Sequence, residues 1–106
     1  MKKTAKFGGT SVASASQIEK VGQIIKKDKD IRAIVVSAPG KRFKADIKVT
    51  DLLISLFDEY KSNSPSYIKT LDMIILRFTE ISELLGLDKN LVESFRQILL
   101  GFLTDI

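Results

Sequence analysis

Two segments near the start of the chain carry residue types that bind phosphate groups. The first is KFGGTSV, Lys6–Val12, in which a cation ends a β-prone segment and is followed by two glycines and two hydroxyls. A glycine pair lets the backbone bring its N–H groups close to a polyphosphate, a helix N-terminus behind it adds positive potential, and Lys6 supplies a full charge. A Gly-Gly pair alone is more often an ordinary turn. A functional interpretation therefore depends on the second segment.

The second segment is IVVSAPGKR, Ile34–Arg42, and it is followed by KVTDLL, Lys48–Leu53. Its apolar β-branched run stops abruptly at Ser37, before a proline and a glycine. This pattern predicts a buried strand with a loop at its carboxyl end, which is where open α/β sheets bind ligands.

The three motifs KFGGTSV, VVSAPGKR and KVTDLL, in this order, resemble the aspartokinases of the amino-acid kinase family. The resemblance implies that residues 1–106 are the N-terminal part of a three-layer αβα, carbamate-kinase-like catalytic domain. The rest of that domain and the ACT-type regulatory domains would be absent. The implied reaction transfers the γ-phosphoryl group of ATP, with Mg²⁺, to the β-carboxylate of L-aspartate. Its product, 4-phospho-L-aspartate, leads to lysine, threonine and methionine.

The same resemblance implies a phosphate-binding role for the first motif. Lys6 would contact the nucleotide phosphates and stabilise the transferred charge as a catalytic residue, and the backbone N–H groups of Gly8 and Gly9 would hold phosphate oxygens. Thr10 and Ser11 would organise this loop and reach the phosphate. The family's Arg-Gly-Glu segment, catalytic aspartate, second lysine and adenine-binding region would all follow Ile106, so we expect this segment alone to be inactive.

Ser37 and Thr50 are the candidate substrate-binding residues. By resemblance, Ser37 lies near the amino-acid pocket and Thr50 binds the aspartate. Each has a simpler alternative, because Ser37 suits a strand end and Thr50 suits a helix N-cap. The basic loop at Lys41-Arg42 is longer than in short-loop members of the family, which leaves its geometry open.

The elements predicted around these motifs form a β-loop-α-β unit followed by three helices, an α/β arrangement. A capping box at Ser16–Glu19 predicts the start of the first helix. Apolar stripes at helical spacing predict the core faces of the others, and those of the last two helices include Ile68, Leu91, Ile98 and Phe102. The predicted strands cover 4–7 and 31–37, and the helix between them ends in Lys26-Lys27-Asp28-Lys29. Three further helices are predicted: one starting at Thr50, one over about 66–85 with Gly86 as its C-terminal glycine, and one starting at Asp88.

Composition narrows the function classes. The chain has no cysteine and no histidine, so it can form no disulfide and offers no imidazole for catalysis or for a zinc site. No apolar signal segment follows the early lysines, and we expect a cytoplasmic protein that does not enter a membrane. The net charge is +4, but no aromatic residues are interleaved with the lysines, so we expect no nucleic-acid partner.

Two alternatives remain at this stage. One is another amino-acid kinase family enzyme, such as glutamate 5-kinase or uridylate kinase, although KFGGTSV and KVTDLL argue against it. The other is a basic α/β module that binds nucleotide or nucleic acid without catalysis, which the short chain favours. The resemblance also implies small-molecule partners, L-aspartate and ATP, and a full-length protein that forms a homo-oligomer.

Overall fold

A computed structural model describes residues 1–105 of the chain, which contain two β-strands and four α-helices. The strands are β1 (Lys3–Phe7) and β2 (Ile31–Val36), and the α-helices are α1 (Ala15–Lys27), α2 (Val49–Lys61), α3 (Tyr67–Leu85) and α4 (Asn90–Thr104). The chain divides into two compact units, Met1–Thr50 and the part from Asp51 onward. This order of elements confirms the predicted α/β class.

The first unit is built on a parallel pair of strands, which confirms the predicted β-loop-α-β arrangement. Lys6 pairs with Val35 and Phe7 pairs with Val36. The N–H of Ser37 donates to the carbonyl of Phe7 over 3.1 Å and continues the ladder by one residue. Both motifs therefore leave the sheet at the same edge, the carboxyl end of the two strands.

The second strand is exposed, and the prediction that it is buried was wrong. Ile34, Val35 and Val36 keep 46%, 50% and 57% of their surface accessible. A continuous β-branched run is typical of a strand covered on both faces. In the described residues β2 pairs only with β1, so the sheet has just two strands. A two-stranded sheet cannot cover such a run, because burial needs further strands or packed helices.

The start of α1 also differs from the prediction. The N-cap is Ser14, whose hydroxyl accepts from the backbone N–H of Gln17 over 3.4 Å, and not Ser16. Ser14 and Gln17 form an overlapping capping-box pattern two residues upstream of the expected one. The helix directly after Gly8 is a four-residue 3-10 helix, Gly9–Val12, which packs with α1.

The second unit buries the apolar stripe predicted for α2. Leu56 and Ile74 are fully buried at the centre of a cluster that α2, α3 and α4 share. The cluster of buried residues is Leu52, Leu56, Leu71, Ile74, Leu99 and Leu103. The predicted faces of the last two helices were partly wrong, because Ile68, Leu91, Ile98 and Phe102 are each more than half exposed.

The connection between α3 and α4 confirms the predicted glycine. Gly86 adopts the left-handed conformation, with φ of 68°, and the N–H of Leu87 donates to the carbonyl of Ser82 over 2.9 Å. Left-handed backbone favours glycine because it has no Cβ. Asp88 accepts from the N–H of Asn90 over 2.9 Å, just before α4 begins.

No helix within residues 1–105 is both long enough and apolar enough to cross a bilayer.

Leu56→Ala tests the core of the second unit. Leu56 has no accessible surface, so its truncation should lower the free energy of unfolding by about 2–5 kcal/mol through lost burial and the cavity left behind. Ile54 lies on the same helix and is 60% exposed. Ile54→Ala should change stability by less than about 0.5 kcal/mol. Urea denaturation followed by circular dichroism measures both, and equal losses would contradict this account of the core.

Candidate active site

The two glycine motifs touch through their backbones. The N–H of Gly40 donates to the carbonyl of Gly9 over 2.8 Å. A Cβ added at Gly40 would lie 2.7 Å from the carbonyl carbon of Gly9, and a Cβ added at Gly9 would lie 3.1 Å from the Cα of Gly40. Side chains at these positions would therefore push the two loops apart.

A cleft of about 390 Å³ opens beside this contact. All of its lining residues belong to the first unit, and they come from three places: the 3-10 helix, the loop after β2 and the start of α2. The lining consists of Gly9, Thr10, Ser37, Ala38, Pro39, Gly40, Lys41, Lys48 and Thr50. This is the carboxyl edge of the parallel strands, where α/β sheets bind ligands.

Four of the seven predicted site residues meet in this lining: Gly9, Thr10, Ser37 and Thr50. Lys6, Gly8 and Ser11 are not part of it. Lys6 is an exposed residue near the end of β1, and the N–H of Ser11 donates to the carbonyl of Gly8 over 3.1 Å within the 3-10 turn. Their roles toward a ligand stay predictions.

The helical contribution expected behind the glycines is smaller than predicted. The segment after Gly8 is a single 3-10 turn, and α1 starts only at Ala15. A macrodipole needs many aligned peptides, so four residues add little potential. Any anion attraction at this cleft therefore comes from the lysine side chains, from local N–H groups and from the first turn of α2, where Thr50 lines the cleft, and not from the 3-10 turn.

Thr50 is a helical residue and not the predicted N-cap. It is the second residue of α2, which begins at Val49, and its side chain is exposed and lines the cleft. The N–H of Val49 donates to the carbonyl of Pro39 over 3.0 Å, so the backbone of the loop meets the first turn of the helix. Thr50 thus lies on the cleft wall.

The loop between Gly40 and Val49 is closed by a bidentate ion pair. Asp46 accepts from Nε and Nη2 of Arg42 over 2.7 and 3.0 Å and from the Arg42 backbone N–H over 2.9 Å. The Arg42 side chain lowers the pKa of the Asp46 carboxyl well below its usual range, against partial burial that raises it. The Asp46 side chain is only 8% exposed, which is unusual for a carboxylate in a surface loop.

The cleft is basic. Lys41 and Lys48 line it, and the described lining includes no acidic residue. Such a lining favours anionic ligands, since opposite charge would attract them and no carboxylate would repel them. In residues 1–105 no group of three or more acidic, cysteine or histidine side chains could hold a metal ion.

Comparison with known proteins agrees with the motifs. The chain is 39% identical over 101 residues, 95% of its length, to aspartokinase 3 of Bacillus subtilis, and 35% identical over 69 residues to a chloroplastic bifunctional aspartokinase/homoserine dehydrogenase 1 of Zea mays. Its structure matches that of Clostridium acetobutylicum aspartate kinase with a TM-score of 0.80 at 35% identity over 91% of the chain. The chain is related to the aspartokinases in both sequence and fold. No protein-family model matches it.

A second solved aspartokinase bears on the ligands. Aspartokinase III of E. coli, solved in complex with aspartate and ADP, matches 95% of the chain with a TM-score of 0.76 at 26% identity. The chain spans only about a fifth of these relatives: 22% of the Bacillus aspartokinase, 23% of the Clostridium structure and 21% of the E. coli structure.

Sequence reasoning missed two features of this segment. Gly40 was predicted only as part of the loop after the second strand, whereas it is buried against Gly9. The Arg42–Asp46 pair was not predicted, although its i,i+4 spacing in a loop rich in lysine was visible. Only a motif that pairs Gly-Gly with Pro-Gly across two parallel strands could have indicated the first feature.

Gly40→Ala tests the backbone contact. The added methyl group collides with the Gly9 carbonyl, so the free energy of unfolding should fall by about 1–3 kcal/mol. Gly22 lies inside α1, where an added Cβ meets nothing within 4 Å. Gly22→Ala should raise stability by about 0.5–1 kcal/mol, because alanine is the better helix former. Chemical denaturation of the two variants measures the difference, and a neutral Gly40→Ala would contradict the contact.

Proposed function

We propose that this chain is the N-terminal, substrate-facing segment of an aspartate kinase. The reaction is transfer of the γ-phosphoryl group of ATP to the β-carboxylate of L-aspartate, which yields 4-phospho-L-aspartate and ADP. The observation that supports it best is the basic cleft at the carboxyl edge of β1 and β2, formed from all three aspartokinase-like motifs. The chain would act in the cytoplasm, in the synthesis of lysine, threonine and methionine, as part of a homo-oligomer.

Within this proposal the first motif binds phosphate. An added Cβ at Gly8 would meet no described atom within 4 Å, and its φ of −74° is open to any residue. Neither packing nor backbone conformation requires glycine there, which supports a close approach of ligand to the backbone. Lys6 would bring its charge to the transferred phosphoryl group from the end of β1. Thr10 and Ser11 would order the turn.

The second and third motifs would bind the amino acid. Ser37 and Thr50, which both carry a hydroxyl, line the cleft together with Lys41 and Lys48. Hydroxyls can accept from an ammonium group and donate to a carboxylate, so they suit a small zwitterion. Residues 1–105 offer no metal-ligand cluster, and we therefore expect magnesium to arrive with the nucleotide.

The function is tested in the complete natural protein that contains this chain, by aspartate-dependent release of ADP. Lys6→Ala should reduce kcat by about a hundred- to a thousandfold, if the lost cation matters as much as one oxyanion-hole donor. The Michaelis constant for aspartate should change far less, because the charge acts on the transferred group.

The matched control is Lys26→Ala, which removes an exposed lysine from the end of α1. It should leave kcat within about twofold of the wild type. A near-normal kcat in Lys6→Ala would reduce Lys6 to a surface residue, and an absence of aspartate-dependent ADP release from the wild type would reject the proposed function.

Thr50 allows a separate test of substrate binding. Thr50→Val removes the hydroxyl and keeps the shape, whereas Thr50→Ser keeps the hydroxyl. If Thr50 binds aspartate, Thr50→Val should raise the Michaelis constant for aspartate by about tenfold, corresponding to one lost hydrogen bond, with little change for ATP. Thr50→Ser should stay close to the wild type. Equal aspartate kinetics in all three proteins would show that the hydroxyl does not contact substrate.

A further inference from the structure

The loop from Lys41 to Lys48 is ordered by polar contacts and not by a core. It contains no helix or strand, and its large apolar residues Phe43 and Ile47 are 60% and 45% exposed. Its two ends are fixed, at Gly40 by the carbonyl of Gly9 and at Val49 by the carbonyl of Pro39. Hydrogen bonds within the loop itself also hold the residues between these ends.

The Arg42–Asp46 pair supplies that order. Three hydrogen bonds from Arg42 reach the Asp46 carboxylate, and the N–H of Asp46 donates to the carbonyl of Phe43 over 3.0 Å, which closes a turn. The guanidinium carbon lies 5.6 Å from the centre of the Phe43 ring. The Asp46 side chain is 8% exposed and the Arg42 side chain 33%. A bidentate pair whose carboxylate is shielded from water in this way is stronger than an ordinary surface ion pair.

The two lysines that line the cleft lie directly beside this pair. Lys41 precedes Arg42, and Lys48 follows Asp46 by two residues. Both line the cleft, whereas Lys44, at the middle of the same loop, does not. The pair thus fixes the backbone next to each cleft lysine. Charges held near their binding positions before a ligand arrives bind it more tightly, because less conformational entropy is lost.

We propose that the Arg42–Asp46 ion pair is a positioning device that holds Lys41 and Lys48 at the cleft, where their ammonium groups bind the anionic groups of a substrate. This inference rests on the proposed function for the identity of the substrate, but the anion binding itself does not. The anionic group is a carboxylate of aspartate or a phosphate of ATP. Asp46 touches neither and acts through the lysines.

Asp46→Asn in the complete protein is the first test. It keeps the size of the side chain and removes its charge, and it should raise the Michaelis constant of one substrate by about tenfold while kcat changes by less than about twofold. A rise for aspartate identifies a carboxylate as the ligand, and a rise for ATP identifies a phosphate. Asp58→Asn, an identical change at an exposed residue of α2, should change neither constant.

A double-mutant cycle separates positioning from general stability. Lys41→Ala combined with Lys48→Ala should raise the same Michaelis constant, whereas Lys44→Ala should not. In the background that lacks both cleft lysines, Asp46→Asn should add less than about a twofold effect, since there is nothing left to position. An equal effect of Asp46→Asn with and without the lysines would overturn the proposal, as would no effect in the wild-type background.

A binding measurement on the 106-residue chain decides the matter if the complete protein lacks kinase activity. Inorganic pyrophosphate and L-aspartate are the probes, and amide resonances of Lys41 and Lys48 report their binding. Wild-type binding of at least one probe should weaken about tenfold in Asp46→Asn. Unchanged binding of both probes, or binding of neither to the wild type, would overturn the proposal. If Asp46→Asn does not fold, Arg42→Lys keeps the charge, loses the bidentate geometry and should weaken binding in the same direction.

Discussion

Close backbone contact between Gly9 and Gly40 is the constraint on which the cleft depends. Two parallel strands deliver two loops to the same edge of the sheet, and the loops can share a wall only if their backbones approach without side chains between them. Here a hydrogen bond of 2.8 Å joins them. This contact lies beside the cleft, whose wall includes Ser37 and the first turn of α2. The geometry of the site therefore depends on the absence of a Cβ atom at both glycines.

Order in the first unit is divided between apolar and ionic contacts. The 3-10 helix and the start of α1 contribute buried Val12, Ala13 and Ala15, whereas the loop that carries the cleft lysines keeps its larger apolar residues in solvent. A loop built in this way does not need a core beneath it. Its order depends instead on hydrogen bonds to one shielded carboxylate, Asp46. The same loop carries the lysines that make the cleft basic, so the positions of these charges depend on that carboxylate.

Features set by local backbone chemistry or by a strong pattern were predictable from the sequence, and features set by long-range contact were not. The parallel strands, the left-handed Gly86 and the position of Ser37 followed from periodicity and turn chemistry. The exposure of Ile34 and its neighbours was mispredicted, because periodicity describes what a segment can bury and not what covers it. The N-cap of α1 was assigned to Ser16 and not to Ser14, because both serines begin a capping-box pattern. No local signal distinguishes Thr50 as an N-cap from Thr50 inside the first turn of the helix. The Gly9–Gly40 contact joins residues thirty-one positions apart and has no signature in either motif alone.

Both ends of the loop at 41–48 are anchored by backbone hydrogen bonds, so the segment between them should tolerate changes in sequence and length. Gly40 and Val49 are held by carbonyls that belong to Gly9 and Pro39, outside the segment itself. Insertions, deletions or altered charge within 41–48 would leave these anchors in place. A longer loop would be tolerated because the entropic cost of closing a loop rises only slowly with its length. The segment could therefore be replaced while its two anchoring hydrogen bonds stay in place. Loops taken from other proteins could be grafted between the same two anchors to give the cleft a different chemical preference without rebuilding the sheet beneath it.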